Sequence, residues 1–242
     1  MKLAVIPARG GSKRIPRKNI KLFCGKPMIA WSIEAALQSD CFDRVIVSTD
    51  DAEIAEVSRQ YGAQVPFMRP AELSDDRTGT IPVVRHAIQF FSEHGQELSQ
   101  VCCIYATAPF VRATDLRQGL NTLISEGSDY AFSVTSYPFP IQRAIRISKQ
   151  GRAEMFNPEH FSTRSQDLEE AFHDAGQFYW GQANAWLAGN PIFGSRATVV
   201  QLPRYRVQDI DTPEDWLMAE YLFHAINLKA DSDQSTNQGK SK

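Results

Sequence analysis

Short apolar runs of strand length alternate with longer segments of helical periodicity from the first residue onward. Parallel strands need helix-sized crossovers between them, so this alternation predicts a mostly parallel sheet covered by helices, an α/β fold. The first strand spans about residues 2–7, through Leu3-Ala4-Val5-Ile6. A helix over Met28–Ser39 and the strand Arg44–Ser48 follow. Asp50 and Glu53 have capping-box spacing for the next helix, and Gly62 suits the residue just past its end. A strand over 64–67, a helix over Thr80–His94, a strand over Val101–Tyr105, a helix over Thr114–Glu126 and a strand over Tyr130–Thr135 continue the pattern. Residues 136–174, with Pro138, Pro140 and Pro158, break it and read as a lid or a small protruding insertion. The rhythm resumes with a strand over Gln177–Gly181, a short helix over Ala183–Ala188 and a strand over Ala197–Leu202. Thr212 then reads as an N-cap with Pro213 at the first helical position, opening a last helix to about Leu228. One domain is expected over 1–228, followed by a disordered tail over 229–242.

Composition narrows the function classes. A net charge of -2 argues against a dedicated nucleic-acid binder but leaves room for a local phosphate pocket. Cys24, Cys41, Cys102 and Cys103 form no C-x-x-C pair, which speaks against zinc or a disulfide framework and fits a reducing, cytoplasmic setting. The apolar run at the N-terminus is too short for a signal-peptide core, and no stretch reaches membrane-spanning length.

The segment Pro7-Ala8-Arg9-Gly10-Gly11-Ser12-Lys13-Arg14-Ile15-Pro16-Arg17-Lys18-Asn19 follows the first strand directly. Ligands of open parallel sheets gather at the carboxyl ends of strands. Gly10 and Gly11 let backbone N–H groups approach phosphate oxygens, and five basic residues supply charge. The loop holds neither G-x-x-x-x-G-K-[ST] nor G-x-G-x-x-G, so it is neither a P-loop nor a dinucleotide fingerprint.

Followed by Gly25-Lys26-Pro27-Met28-Ile29, this loop resembles the signature of the sugar nucleotidyltransferases, and its A-R-x-x-S-K-x-I-x-x-K-N form is similar to that of the CMP-nonulosonate synthetases. The resemblance covers nearly the whole chain. It implies a Rossmann-like nucleotidyltransferase fold and transfer of CMP from CTP to a nonulosonic acid, with release of pyrophosphate. It further implies that Arg9, Ser12, Lys13, Lys18 and Asn19 hold the nucleotide, with the backbone at Ala8 and Gly10 close to it. Lys18, assisted by Arg9 and Lys13, would stabilise charge at the α-phosphate. Arg69 matches a position near the cytosine, and Thr78 and Thr80 match hydroxyls facing the nucleotide. As residues alone, the two threonines serve equally well as caps of the following helix.

Two further segments carry the match. In Gln208-Asp209-Ile210-Asp211-Thr212, an extended backbone puts Asp209 and Asp211 on one side, able to share a cation such as Mg2+. The bare alternative is a pair of carboxylates complementing a helix dipole. Thr163-Arg164-Ser165-Gln166-Asp167-Leu168 and His173-Asp174-Ala175-Gly176-Gln177-Phe178-Tyr179-Trp180 resemble the sugar-site segments of the family. That match implies Arg164 at the acceptor carboxylate, Gln166 among the substrate-binding residues, Tyr179 in the pocket wall and His173 as a proton acceptor, a lone histidine being otherwise structural. Members acting on N-acetylneuraminate carry glutamine where this chain has Tyr105, and a lysine that is missing around Pro140-Ile141-Gln142-Arg143. The forms Y-A-T-A-P-F and H-D-A-G-Q-F-Y-W-G are most similar to the branch acting on pseudaminic acid, which serves surface and flagellin glycosylation. The family also implies a homodimer joined through the insertion. Other acceptors, N-acetylneuraminate or 3-deoxy-manno-octulosonate, and a silent nucleotide-binding scaffold are the competing readings.

Overall fold

The computed structural model describes the backbone of residues 1–238 and the side chains of residues 1–228. Strand β1 (Lys2–Pro7) is followed by the short pair β2 (Leu22–Phe23) and β3 (Lys26–Pro27), then by α1 (Met28–Gln38), β4 (Arg44–Ser48) and α2 (Ala52–Gln60). Next come α3 (Thr80–Glu93), β5 (Gln100–Ile104), α4 (Ala113–Ser125) and β6 (Tyr130–Ser136). The insertion carries the hairpin β7 (Ile145–Ile147) and β8 (Ala153–Met155). The chain re-enters the fold as β9 (Phe172–Gln182), α5 (Ala183–Ala188), β10 (Ala197–Gln201) and α6 (Pro213–Gln238).

The main sheet has the order β10-β6-β9-β5-β1-β4, with β1 parallel to β4 and β5, and β6 parallel to β10. Strand β9 runs against both neighbours. The central strands are buried on both faces, which is why their sequences read as unbroken apolar runs. One face is covered by α1, α2 and α4, through Ile29, Ile33, Ile54, Leu116 and Leu123. The other is covered by α3 and α5, through Val84, Ile88, Phe91 and Trp186. Because β4 and β5 flank β1 on opposite sides, the connections leaving β1 and β5 diverge, and a crevice opens at that switch point.

Four local expectations are corrected. The strand expected over 64–67 is reduced to isolated bridges, Ile46 to Gln64 and Thr49 to Met68, since Pro66 has no N–H to continue a ladder. The cap of α2 is Asp51, whose carboxylate accepts the Glu53 and Ile54 amides, while Asp50 is drawn instead to the Gly10 amide at 3.0 Å. Strand β9 begins at Phe172 rather than Gln177, because its polar first residues still pair with Val134, Thr135 and Ser136. Helix α6 passes Leu228 and continues to Gln238 with no glycine or proline in between; the rest of the expected tail, 239–242, lies outside the described residues. The opening of α6 is as read, with Thr212 and Asp215 exchanging side-chain-to-backbone hydrogen bonds.

Candidate active site

A third apolar cluster sets the site. Ile15 of the basic loop and Ile210 of the D-I-D segment are both almost fully buried, packed with Phe23, Met28, Phe110, Trp216 and Ala219. Burying these two isoleucines pulls two distant stretches of chain together beside the carboxyl ends of β1 and β5. With Ile210 turned inward, alternation along the extended segment puts Asp209 and Asp211 on the outer side. A bidentate ion pair holds the approach to this segment. Both terminal guanidinium nitrogens of Arg206 bond the Asp115 carboxylate, at 2.6 and 3.1 Å, with both side chains buried. The Arg206 carbonyl accepts a hydrogen bond from the Gln177 side-chain Nε2 at 2.6 Å.

The first cleft, of about 510 Å³, is lined by Arg9, Ser12, Lys13, Arg14, Lys18 and Asn19 of the loop. Its far wall is Arg69, Asp75, Asp76, Thr78 and Thr80, and its floor is Tyr105 to Thr107, with Asp211 at one end. Lys18, only 18% exposed, donates to the Ile210 carbonyl at 2.7 Å and to Asp211 at 3.2 Å. Arg14 bonds the other oxygen of Asp211 at 2.6 Å. Arg9, at 2.5 Å, and Lys13 both grip Asp76 across the cleft, and their bonds, Lys13 first, hold its carboxyl below the usual range. Asn19 is buried and bonds the Arg9 carbonyl at 3.0 Å, so it braces the loop as well as lining the cleft. Arg69 is 6% exposed, with its guanidinium on Ser74 at 3.1 Å and 3.8 Å from Asp50.

A second cleft of about 420 Å³ adjoins the first and shares Tyr105 and Thr107 with it. His173, Asp174, Gly176, Gln208 and Asp209 are among its other lining residues. The aspartate pair therefore straddles the junction, Asp211 toward the first cleft and Asp209 toward the second. Desolvation, then the charge of Asp211, push the Asp209 carboxyl up, and Lys18 acts in the opposite sense. Two crowded carboxylates facing open cleft fit a hard, oxygen-ligated cation, with phosphates and waters completing its shell.

Several sequence-predicted residues stand elsewhere. Ala8 is buried, its amide bonded to the Ser48 carbonyl, between Pro7 and Arg9, which do line the cleft. Gly10 lies outside the cleft lining because its amide is bonded to Asp50; a Cβ there would meet Asp51 at 2.6 Å. Arg17, with φ 56°, is bonded to Asp51 at 2.5 and 3.0 Å and to Glu53, so this basic residue ties the loop to α2. Neither threonine caps α3: its N-cap is Gly79, Thr78 donates to Asp75 at 2.6 Å, and Thr80 pairs with the Tyr105 hydroxyl at 3.1 Å. Tyr179 is a core residue, 2% exposed, lining neither cleft. Arg164 is exposed on the insertion, outside both clefts, and Gln166 lines a separate groove with Tyr137 and Phe139. The insertion departs from the sheet between β6 and β9, and this carries both residues away from the second cleft.

Among the cleft residues that sequence reasoning left without a specific role are Arg14, Asp76, Thr107 and Asp174. Arg14 lies in the basic loop, Thr107 in the Y-A-T-A-P-F run and Asp174 in the H-D-A-G-Q-F-Y-W-G run, whereas Asp76 carried no such signal.

A model of the cytidylyltransferase family matches residues 3–213. A pseudaminic acid cytidylyltransferase of Campylobacter jejuni is 47% identical over 221 residues, 91% of this chain and 95% of the relative. A CMP-N,N'-diacetyllegionaminic acid synthase of Legionella pneumophila is 33% identical over 94% of this chain and 98% of its own. Among solved structures, a CMP:2-keto-3-deoxy-manno-octonic acid synthetase complexed with CTP has the same fold, with a TM-score of 0.66 at 18% identity and 93% and 98% of the two chains covered. A family match over most of the chain, relatives similar from end to end, and a cationic cleft facing an aspartate pair agree: the chain belongs to the cytidylyltransferase family.

Proposed function

We propose that this protein transfers CMP from CTP to the anomeric hydroxyl of pseudaminic acid and releases pyrophosphate. The observation that carries this reading is the 47% identity to the Campylobacter jejuni pseudaminic acid cytidylyltransferase over 91% of this chain. The paired clefts meeting at Tyr105, Thr107 and the aspartates support it. CTP enters the first cleft with its phosphates among Arg9, Lys13 and Lys18, taking over the cations that Asp76 and Asp211 now hold. Arg69, fixed by burial, faces the base. The sugar acid enters the second cleft, and its hydroxyl oxygen attacks the α-phosphorus in line as the bond to pyrophosphate breaks. Lys18 and Arg14 offset the charge gathered at the α-phosphate, so the chain works by positioning and preorganised electrostatics. Asp209 and Asp211 are the residues to hold Mg2+, which when bound neutralises phosphate and leaving-group charge.

The described residues include no helix long and apolar enough to cross a membrane. A cytoplasmic location follows in this reading from the supply of CTP. The insertion exposes Phe139, Ile147, Phe156 and Phe161, all more than half exposed, and this apolar surface is the proposed face of a homodimer. In the dimer, Arg164 and Gln166 would reach the other subunit's second cleft.

The test is pyrophosphate release with CTP and Mg2+, with pseudaminic acid and N-acetylneuraminic acid offered in parallel. Release with pseudaminic acid in clear preference is expected. Release with N-acetylneuraminic acid alone would keep the chemistry and overturn the choice of acceptor.

A further inference from the structure

Strand β9 does not pair evenly with β6. Asp174 stands opposite Val134 and Tyr179 opposite Phe132, so β9 advances five residues while β6 advances two. The surplus loops out through Gly176, whose φ of 62° favours glycine, and Ser133 Oγ accepts the Phe178 amide at 3.2 Å behind the bulge. Bulges re-aim side chains, and this one leaves Asp174 on the wall of the second cleft.

Two bonds fix the Asp174 carboxylate. Its Oδ1 accepts the Gly176 amide at 2.9 Å and its Oδ2 accepts the Tyr179 hydroxyl. The phenol is buried, and its ring lies 5.2 Å from that of Tyr105, whose hydroxyl pairs with Thr80. Thr80 and the two tyrosines thus lie between the first cleft and Asp174 in the second. A carboxylate offers about four acceptor positions, so two committed ones leave free acceptors on an already oriented group. Its cleft also contains Asp209. An acceptor carboxylate would be repelled by both, so what meets Asp174 is a hydrogen-bond donor.

We propose that Asp174 is a specificity-determining residue for the sugar acid, accepting a hydrogen bond from an acylamino N–H or a hydroxyl away from the acceptor's carboxylate, and that Tyr179 acts through Asp174 as a positioning residue. The inference rests on the cytidylyltransferase reading above. Loss of a hydrogen bond to a charged group corresponds to roughly 10–100-fold in affinity.

The experiment measures steady-state pyrophosphate release with pseudaminic acid varied at saturating CTP, and CTP binding by calorimetry without acceptor. The proteins are wild type, Asp174→Ala, Asp174→Asn and Tyr179→Phe. Asp174→Asn preserves the turn to Gly176 and serves if the alanine protein folds poorly. The expected result is an acceptor KM raised roughly tenfold or more in both Asp174 variants, and by less in Tyr179→Phe, with CTP affinity unchanged. An unchanged acceptor KM in folded variants would overturn the inference and leave the cytidylyltransferase reading standing. A fall in kcat at constant acceptor KM would also overturn it, making Asp174 the proton acceptor instead. Wild-type protein that binds CTP but releases no pyrophosphate with any nonulosonic acid would overturn the function and this inference with it.

Discussion

The basic loop divides its charges by the carboxylate each one meets. Arg17 goes to Asp51 and Glu53, Arg14 and Lys18 go to Asp211, and Arg9 and Lys13 go to Asp76. Lys18 is the most enclosed of these cations. Lys18→Ala should lower kcat/KM for pyrophosphate release about 100-fold or more, comparable to removing one preorganised oxyanion donor. Its melting temperature should stay near that of wild type, and an active, folded variant would remove Lys18 from the mechanism. At Asp51 the expected effect is on stability. Bonds from Arg17, then from the Ile54 and Glu53 amides, lower its carboxyl pKa against a desolvation that raises it. The unfolded chain therefore takes up the proton first, and the stabilisation is lost as pH falls below about 3.9 toward the depressed folded value. Wild type should melt above Asp51→Asn at neutral pH, and thermal scans at falling pH should show the gap closing through that window. A gap independent of pH would mean that the ion pair contributes nothing.

Among the elements, the segment after β10 depends most on a distant support. Arg206 ends a short 3₁₀ turn and reaches the first turn of α4, where Asp115 lies buried. Arg206→Ala leaves that carboxylate uncompensated, a change that costs about 3–5 kcal/mol when one partner of a buried pair is removed. Urea unfolding should register this loss, and replacing both partners by apolar residues should recover most of it. If Asp209 and Asp211, three and five residues beyond Arg206, hold Mg2+ as proposed, the same single variant should raise the Mg2+ concentration needed for half-maximal turnover. Normal stability in Arg206→Ala would show that the pair is dispensable.

At the scale of the whole molecule, the sheet and its two helical layers make a closed unit, whereas the insertion keeps its apolar side chains in water. Phe139 is 80% exposed and Ile147 is 78% exposed. A dimer through this surface would remove both from solvent and supply Arg164 and Gln166 to the neighbouring second cleft. Sedimentation of wild type should give twice the chain mass, and Phe139→Asp combined with Ile147→Asp should give one chain mass. That double variant should bind CTP as wild type does while losing acceptor turnover. A wild-type monomer with full activity would refute the shared site.

The alternation of apolar runs with helical periods determined the α/β class, because parallel strands buried on both faces can be written only as such runs. The ordered residues of the basic loop and the D-I-D-T segment identified the chemistry, since neither depends on knowing where the other lies. Tertiary structure alone decided which charges reach the cleft. Arg17 and Lys18 are adjacent, yet one ties the loop to α2 and the other faces Asp211, through partners more than thirty residues away. Only packing could reveal that Tyr179 is core and Asp174 its exposed agent, because a bulge breaks the two-residue alternation from which a strand's faces are read. Arg164 and Gln166 sit on an insertion that leaves the sheet, so its place in space follows from long-range contacts that local sequence does not encode.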